Sequence, residues 1–359
     1  MENNTPSTNN FLNWVEIKNF KSIKDLHLDC KRVNVFIGKP NVGKSNILEG
    51  LGLFGADYST DKFMQGFVRY KEIKHLFYDN DWENKVEVYS DKMTALLGSS
   101  SDVGVDFEYY SYPKYIPDMN TRKIRDVVLD SGGTLYKIKK NGEMSDAQSA
   151  YKYNSSPYKK YDFINIDEFA ETFKTFLLPP FGSNLFSVID KNDNLKIEFG
   201  KLFGQQGLDF VLSREEQLFE LQRKTGFYVI KYPFFSIADT FRRFMFYITA
   251  IESNKNSVII FEEPEVHSFP PYTQDVAYRM IYSEENQFFV STHSPYLLQT
   301  LVSNLPDDQL NVFVTYYENY ETKAKALTPE ELSFVQEYST DVFFNLDRFI
   351  PDAQSANPA

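Results

Sequence analysis

The stretch that most constrains this chain is Gly38-Lys39-Pro40-Asn41-Val42-Gly43-Lys44-Ser45, which reads G-x-x-x-x-G-K-S. It follows the apolar run Val33-Asn34-Val35-Phe36-Ile37 and leads into Asn46-Ile47-Leu48-Glu49-Gly50-Leu51, which opens with helical spacing. Strand, glycine-rich loop and helix, in that order, form the context in which such a motif binds phosphate. The glycines let successive backbone N–H groups face one concavity, and the helix N-terminus adds its positive field. A triphosphate fits such a cradle. Gly38, Pro40, Asn41, Val42, Gly43 and Asn46 would surround it, Lys44 would reach the β- and γ-phosphates, and the Ser45 hydroxyl would take one coordination site on Mg²⁺.

A length of 359 residues accommodates one large α/β domain with an insertion, or two domains. The single cysteine, Cys30, leaves disulfides no part and points to an intracellular, cytoplasmic chain. Residues 1–10 are polar, without a basic start or an apolar centre, and no run of about eighteen apolar residues follows. A short disordered tail and no membrane partner are expected. The net charge of −12 argues against a general nucleic-acid coat, because such binding depends on neutralising phosphates. Local basic patches remain open.

Two short strands, 14–17 and 26–28, flank the turn Asn19-Phe20-Lys21-Ser22. Residues 58–79, with Arg69, read as a helix and loop near the nucleotide. Alternation at 86–89 and 103–110, and a hairpin running from 135–140 into Asn141-Gly142, mark a β-rich lobe. The Tyr, Lys, Ser and Asn of 151–160 read as an exposed loop and a boundary. Ile166, Phe169, Phe173, Phe176 and Leu177 then fall on one helical face, with Pro179-Pro180 as a stop. Residues 195–199 are either strand or helix start, 214–223 have helical composition, and 227–230 read as a strand. Further on, 257–261, 288–291 and 312–314 are apolar runs suited to buried strands, with a helix at 272–283, so a parallel, doubly covered sheet is expected. Thr328-Pro329-Glu330-Glu331 opens a helix with a capping box.

Phe261-Glu262-Glu263-Pro264-Glu265 stands at the carboxyl end of one buried strand, where ligands of open α/β sheets collect. Glu262 would hold Mg²⁺ directly or through water, and Glu263 would accept a proton from, or orient, an attacking water. Solvated loop carboxylates are the alternative, and the place after a buried strand weighs against it. Ser291-Thr292-His293-Ser294-Pro295 ends the next strand in the same way, which sets His293 over the γ-phosphate. His27, His75 and His267 read as structural, with His267 close enough to the acidic loop to lie near a subunit contact. The segment from Ser236 to Arg243 precedes a helix at 241–251. Its Ser, Asp and Thr are helix caps, or else its N–H groups meet the γ-phosphate held by a second subunit.

Together, the Asn19-Phe20-Lys21-Ser22 turn, the glycine-rich loop, Phe261-Glu262-Glu263-Pro264-Glu265 with His267, and Ser291-Thr292-His293-Ser294-Pro295 resemble the ABC-type ATPases of the RecF, SMC and OLD group. Closest are the OLD-like ATPases common in prokaryotic antiviral defence, over 11–54 and 234–301. The resemblance implies an α/β fold: an ABC-type P-loop NTPase head with a mixed sheet and central parallel strands, plus a compact α/β insertion. It implies ATP and Mg²⁺ as ligands, two ATPs enclosed by a head-to-tail homodimer or higher homo-oligomer, Glu263 as catalytic carboxylate and His293 as switch histidine. Lys44 acts on the phosphates, and the segment with Ser236 matches the signature that meets the other subunit's nucleotide. The chain then divides into a tail at 1–10, the first half of the head at 11–150, a mainly helical insertion at 151–233, the second half at 234–350 and a tail at 351–359.

The chain departs from the group at Glu262, where Asp is frequent, and at Ala238 and Thr240, where related chains often carry glycines. OLD nucleases add a Toprim domain with an Asp-x-Asp metal cluster, and none follows His293. The expectation is an ATPase without its own nuclease, switching a separate effector protein. The alternative is a RecF-like repair ATPase on duplex DNA, with Lys137, Lys139, Lys140, Lys159 and Lys160 as contacts, although such charges usually belong to solvated loops. A GTPase reading of Asp190-Lys191-Asn192-Asp193 is weaker, because its first residue should offer an amide.

Overall fold

The computed structural model describes residues 9–102, 104–113, 128, 133–148, 156–338 and 342–350. Strands β1 (Trp14–Phe20) and β2 (Ile23–Asp29) form an antiparallel hairpin that leads into β3 (Val33–Ile37) and helix α1 (Lys44–Gly52). The chain then adds β4 (Val86–Ser90), β5 (Thr94–Ser99), β6 (Phe107–Tyr112), β7 (Thr134–Ile138) and β8 (Met144–Gln148) to that hairpin. The result is a seven-stranded antiparallel sheet in the order β2-β1-β4-β5-β6-β7-β8.

Strand β9 (Tyr158–Tyr161) precedes helices α2 (Leu185–Asp190) and α3 (Asp193–Gly204) and a small sheet of β10 (Asp209–Ser213), β11 (Leu218–Thr225) and β12 (Tyr228–Pro233). After these come α4 (Asp239–Ser253), β13 (Val258–Glu262), α5 (Pro270–Tyr282), β14 (Gln287–Ser291), α6 (Pro295–Asn304), β15 (Leu310–Glu318), β16 (Glu321–Ala326) and α7 (Pro329–Glu337). The central sheet has the order β16-β15-β3-β14-β13-β9, parallel except for β16. The expected α/β architecture, a P-loop ATPase head with a mixed sheet and central parallel strands, is the one found.

Alternation explains why these strands read as unbroken apolar runs. Phe36, Val258, Ile260, Phe289 and Phe313 point into a core shared with α1 (Ile47, Leu48, Leu51) and the antiparallel sheet. Their neighbours Val35, Ile37, Ile259, Phe261, Val290 and Val312 point the other way, onto α4, α5 and α6. Both faces are covered, so each position contributes roughly 1.5–3 kcal/mol of burial and none can be polar without a partner. The expected capping box of α7 is present, with Thr328 accepting from the Glu331 N–H and Glu331 accepting from the Thr328 N–H.

Three local expectations are corrected. Residues 166–177 form no helix, and Phe173 is 97% exposed. The chain here bonds sideways instead: the Ala170 N–H donates to Ser183 O, Leu177 N–H to Ser253 Oγ, and the Asn184 amide closes on Leu178 N–H and Phe176 O. These tertiary bonds outweigh the weak helix preference of a stretch with three Phe and two Thr. Residues 214–223 are a turn and most of β11, where Phe219 and Leu221 are buried at a spacing of two. The segment 151–233, expected as mainly helical, carries four strands beside two helices among its described residues. Residues 195–199 belong to α3, capped by the Asn192 side chain, which accounts for Asp190-Lys191-Asn192-Asp193 as a helix junction.

The expected exposed loop at 151–160 is also corrected. Residues 151–155 lie outside the described residues, and 158–161 form β9, every residue of it buried. Lys159 donates to Asn254 Oδ1 at 2.7 Å and Ser257 Oγ at 3.0 Å, and its Nζ sits 4.2 Å from the Phe176 ring centre. Lys160 pairs with Glu262 at 3.7 Å. Neither reaches a surface where DNA could lie. Lys137 and Lys139 are paired with Asp102 and Glu143. Of the expected tails, 1–8 and 351–359 lie outside the described residues, whereas Asn10 is bonded through its N–H and side-chain amide to Asn256.

Burial, reinforced by Lys174, lowers the Lys159 pKa to about 7. Between that value and the ordinary lysine range the unfolded chain holds a proton that the folded chain lacks, so folding stability rises with pH across this window. Lys159→Met removes the effect. Urea unfolding of the two proteins from pH 7 to pH 10 should show their stability difference moving in favour of wild type, by at most about 1.4 kcal/mol per pH unit. A pH-independent difference would contradict a neutral buried amine.

Candidate functional site

The loop between β3 and α1 is shaped from outside by the β15–β16 hairpin. Gly43, the N-cap of α1, has φ +99°, and a Cβ there would lie 1.9 Å from Thr322 Oγ1. A Cβ on Gly38 would lie 2.4 Å from Thr315 O. Only glycine fits at either place. Thr322 Oγ1 donates to Val42 O at 3.0 Å and lies 2.6 Å from Ser22 Oγ, which accepts from the Asn46 amide at 2.6 Å. Ser22 O in turn accepts from the Thr322 N–H. The Asn19-Phe20-Lys21-Ser22 turn therefore braces the phosphate loop.

The same turn anchors a second element. Lys21 pairs with Glu49, which is 1% exposed, and donates to Arg69 O at 2.8 Å. Glu49 also accepts from Arg69 Nε at 2.7 Å. Burial lowers the Lys21 pKa, opposed by Glu49. Arg69 is thus held over the cleft, with Nη2 3.4 Å from Glu262.

Lys44 is 6% exposed and donates to Gly38 O and Lys39 O, each at 2.9 Å. Burial lowers its pKa, while Glu263, Glu262 and Glu265 oppose that shift. The Ser45 hydroxyl donates to Glu262 Oε1, and Lys160 pairs with the other Glu262 oxygen. Glu263 has φ +44°, and its N–H donates to Ser291 O, so its side chain departs from the line of β13. His293 Nε2 lies 3.5 Å from Glu263 Oε1. Burial, followed by Lys44, lowers the His293 pKa against the pull of Glu263, and this favours the neutral ring.

Pro40, Asn41, Val42, Gly43, Lys44, Ser45, Asn46, Glu262, Glu263 and His293 all line one cleft of about 740 Å³. Gly38 contributes its carbonyl beneath it. Ser236 is not brought there: its hydroxyl donates to Pro233 O in a 3₁₀ turn, and α4 is preceded by Ala238 without a side-chain cap. Thr240 instead donates to His267 O, and Asp239 holds Arg243 and His267.

Sequence reasoning missed Asp162, Tyr247 and the inward turn of Lys160, and it placed Arg243 only at the end of the signature-like segment, yet all four line the cleft. No motif marks Asp162, Tyr247 or Lys160, because they arrive on the loop after β9, on α4 and on β9. Burial and Glu262 raise the Asp162 pKa against the pull of Lys160 and Arg69.

The residues fit a Mg²⁺-nucleotide. Among the described residues no group of three or more His, Cys, Asp or Glu side chains could hold a metal by itself. Mg²⁺ is commonly held by one or two protein oxygens together with phosphate oxygens, and the paired Ser45 hydroxyl and Glu262 carboxylate offer such a set.

Fold and site together define a P-loop ATPase. Residues 11–199, just over half of the chain, match the family described as the AAA ATPase domain, and the chain belongs to that family. A curated relative, the uncharacterized protein MJECL10 of Methanocaldococcus jannaschii, is 36% identical over 85 residues, covering 21% of this chain and 39% of the relative. The chain thus spans about two fifths of that relative's length.

Among solved structures the chain is similar to an SMC head bound to the C-winged helix domain of ScpA, with TM-score 0.47, 14% identity, and 89% and 99% of the two chains covered. It is also similar to the SMC head domain from Thermotoga maritima, with TM-score 0.41, 11% identity and coverage of 88% and 99%. A third is an SMC head with an extended coiled coil, bound to the C-terminal domain of ScpA derived from Pyrococcus furiosus, with TM-score 0.45, 12% identity and coverage of 91% and 98%.

Gly43→Ala tests the cradle. The added methyl meets both the positive φ and Thr322, so stability should fall by about 1–3 kcal/mol and ATP binding, read by calorimetry, should be lost. Normal affinity would show that the hairpin does not confine the loop.

Proposed function

We propose that this chain is a Mg²⁺-dependent ATPase that works as a dimeric nucleotide switch and passes its state to a separate effector protein, in antiviral defence by its resemblance to OLD-like ATPases. The observation that carries the hydrolytic part is the convergence of Lys44, Ser45, Glu262, Glu263 and His293 on one cleft. Bound Mg²⁺ would neutralise phosphate charge and draw electron density from the bond that breaks.

The chain's own residues supply the rest. Lys44, already directed at the loop carbonyls, exchanges them for β- and γ-phosphate oxygens. Ser45 and Glu262 would hold the metal. Glu263, turned away from β13 by its left-handed backbone, orients the attacking water and accepts its proton, and neutral His293 beside it donates toward the γ-phosphate. Arg69 and Lys160 balance the carboxylates when the cleft is empty of phosphate charge.

The dimer rests on a second observation. Phe235 and Ser236, just before α4, do not line their own cleft, and Phe235 is 63% exposed. A free helix N-terminus of this kind suits a phosphate supplied by another subunit. A partner of the kind named for the SMC heads, a winged-helix domain, is one chemistry such an effector could have.

Steady-state ATP turnover should require Mg²⁺ and Lys44, and Glu263→Gln should cut kcat by about 10²–10⁴ while ATP still binds. With ATP, the Glu263→Gln protein should sediment as a dimer, and duplex DNA should leave turnover unchanged. A monomer under those conditions would overturn the switch, and stimulation by DNA would favour the repair reading.

A further inference from the structure

Glu265 has no part in the chemistry described so far, yet its side chain bonds one of the two loops that carry that chemistry to the other. It lies two residues beyond Glu263 in the turn after β13. Its Oε1 accepts two hydrogen bonds from the loop after β14, one from Thr292 Oγ1 and one from the His293 N–H, both at 2.7 Å. Thr292 is fully buried, its N–H donates to Phe36 O at the end of β3, and its hydroxyl also accepts from the Ser294 N–H at 2.9 Å. Ser294 in turn caps α6 by accepting from the Leu297 N–H. One carboxylate oxygen thereby fixes the whole path from β14 into α6.

The other oxygen, Oε2, is shielded from solvent and accepts no hydrogen bond from any other described residue. A carboxylate kept solely to satisfy a turn would not leave one oxygen buried and unmatched, since such an atom costs about 1–3 kcal/mol. What the arrangement secures is a relative position: Glu263 on one loop and His293 on the other, 3.5 Å apart.

We propose that Glu265 is a positioning residue that, by gripping Thr292 and the His293 backbone, sets the His293 ring against Glu263 at the mouth of the cleft. It acts through His293 and touches neither nucleotide nor metal. The proposal deepens the ATPase reading and rests on it for its kinetic arm, whereas its spectroscopic arm does not.

The test compares wild type, Lys44→Ala, Glu265→Ala, Glu265→Gln and Thr292→Val. Readouts are steady-state ATP turnover with Mg²⁺, calorimetric binding of a non-hydrolysable ATP analogue, thermal melts, and the imidazole NMR resonances of histidine-labelled protein, with His293 assigned by its loss in His293→Gln. Glu265→Ala should lower kcat about ten- to a hundredfold, the usual cost of a catalytic group displaced by about an ångström, with KM and analogue binding unchanged. It should also move the His293 resonance while His27 and His75 stay in place. Glu265→Gln keeps the acceptor oxygen and should regain most of the rate and the wild-type resonance.

Wild-type kcat and an unmoved His293 resonance in Glu265→Ala would overturn the proposal, as would equal impairment of the Ala and Gln variants. If Glu265→Ala fails to fold, Thr292→Val, which removes one of the two donors, should show a smaller change in the same direction, and no change would count against the idea. If wild type shows no Lys44-dependent turnover, the ATPase reading fails, and the His293 resonance alone still decides whether Glu265 positions the ring.

Discussion

The parallel pairing of β3, β14 and β13 is the constraint on which everything else hangs. In that register Phe36 stands opposite Ser291, and Ser291 opposite Glu262, so three strands from distant parts of the sequence end at one edge. Each then releases its loop on the same side of the sheet: phosphate loop, acidic loop and histidine loop. Parallel strands need helical crossovers, and the crossovers bury both faces of the sheet. Inside the sheet a polar side chain must find a partner, as Asn34 does with Lys31 and Phe288, whereas at this edge polar side chains can face a cleft. Position in the sheet turns Ser45, Glu262, Glu263 and His293 into one site.

Charge balance is the second organising force. Glu262 lies within ion-pair reach of Arg69 and Lys160, while Glu49 beneath the loop is matched by Lys21 and Arg69. Left unpaired, Glu262 and Glu49 would be costly, and each of the two has a cation within reach. The pairs on Glu262 are long, 3.4 Å to Arg69 and 3.7 Å to Lys160, whereas those on Glu49 are short. The same cleft thus holds a tight set and a loose set of charges.

What could be read in advance follows from this division. The glycine-rich loop, the acidic loop and the histidine loop are local in sequence, each attached to a strand whose apolar run is visible, so their meeting could be anticipated. The capping box at Thr328 was legible for the same reason. Residues 166–177 were not, because their backbone bonds go to Ser183, Asn184 and Ser253, and no spacing rule records a long-range bond. Lys159 and Lys160 misled in the opposite sense. Two lysines among tyrosines suggest solvent, but Asn254, Ser257 and Glu262 receive their ammonium groups inside the fold. Glu265 was visible only as one more acid after Glu263, and its work depends on which backbone it faces.

Thr322 carries a consequence for how the protein comes into being. It presses on Gly43 and bonds to Val42 and Ser22, although some 280 to 300 residues separate them. During synthesis the phosphate loop emerges some 280 residues before the wall that confines it. Contacts this distant close late and slowly. A nascent chain that carries the glycine-rich loop therefore has no finished cradle until the β15–β16 hairpin has been made, and the loop takes its shape in one step when that hairpin docks.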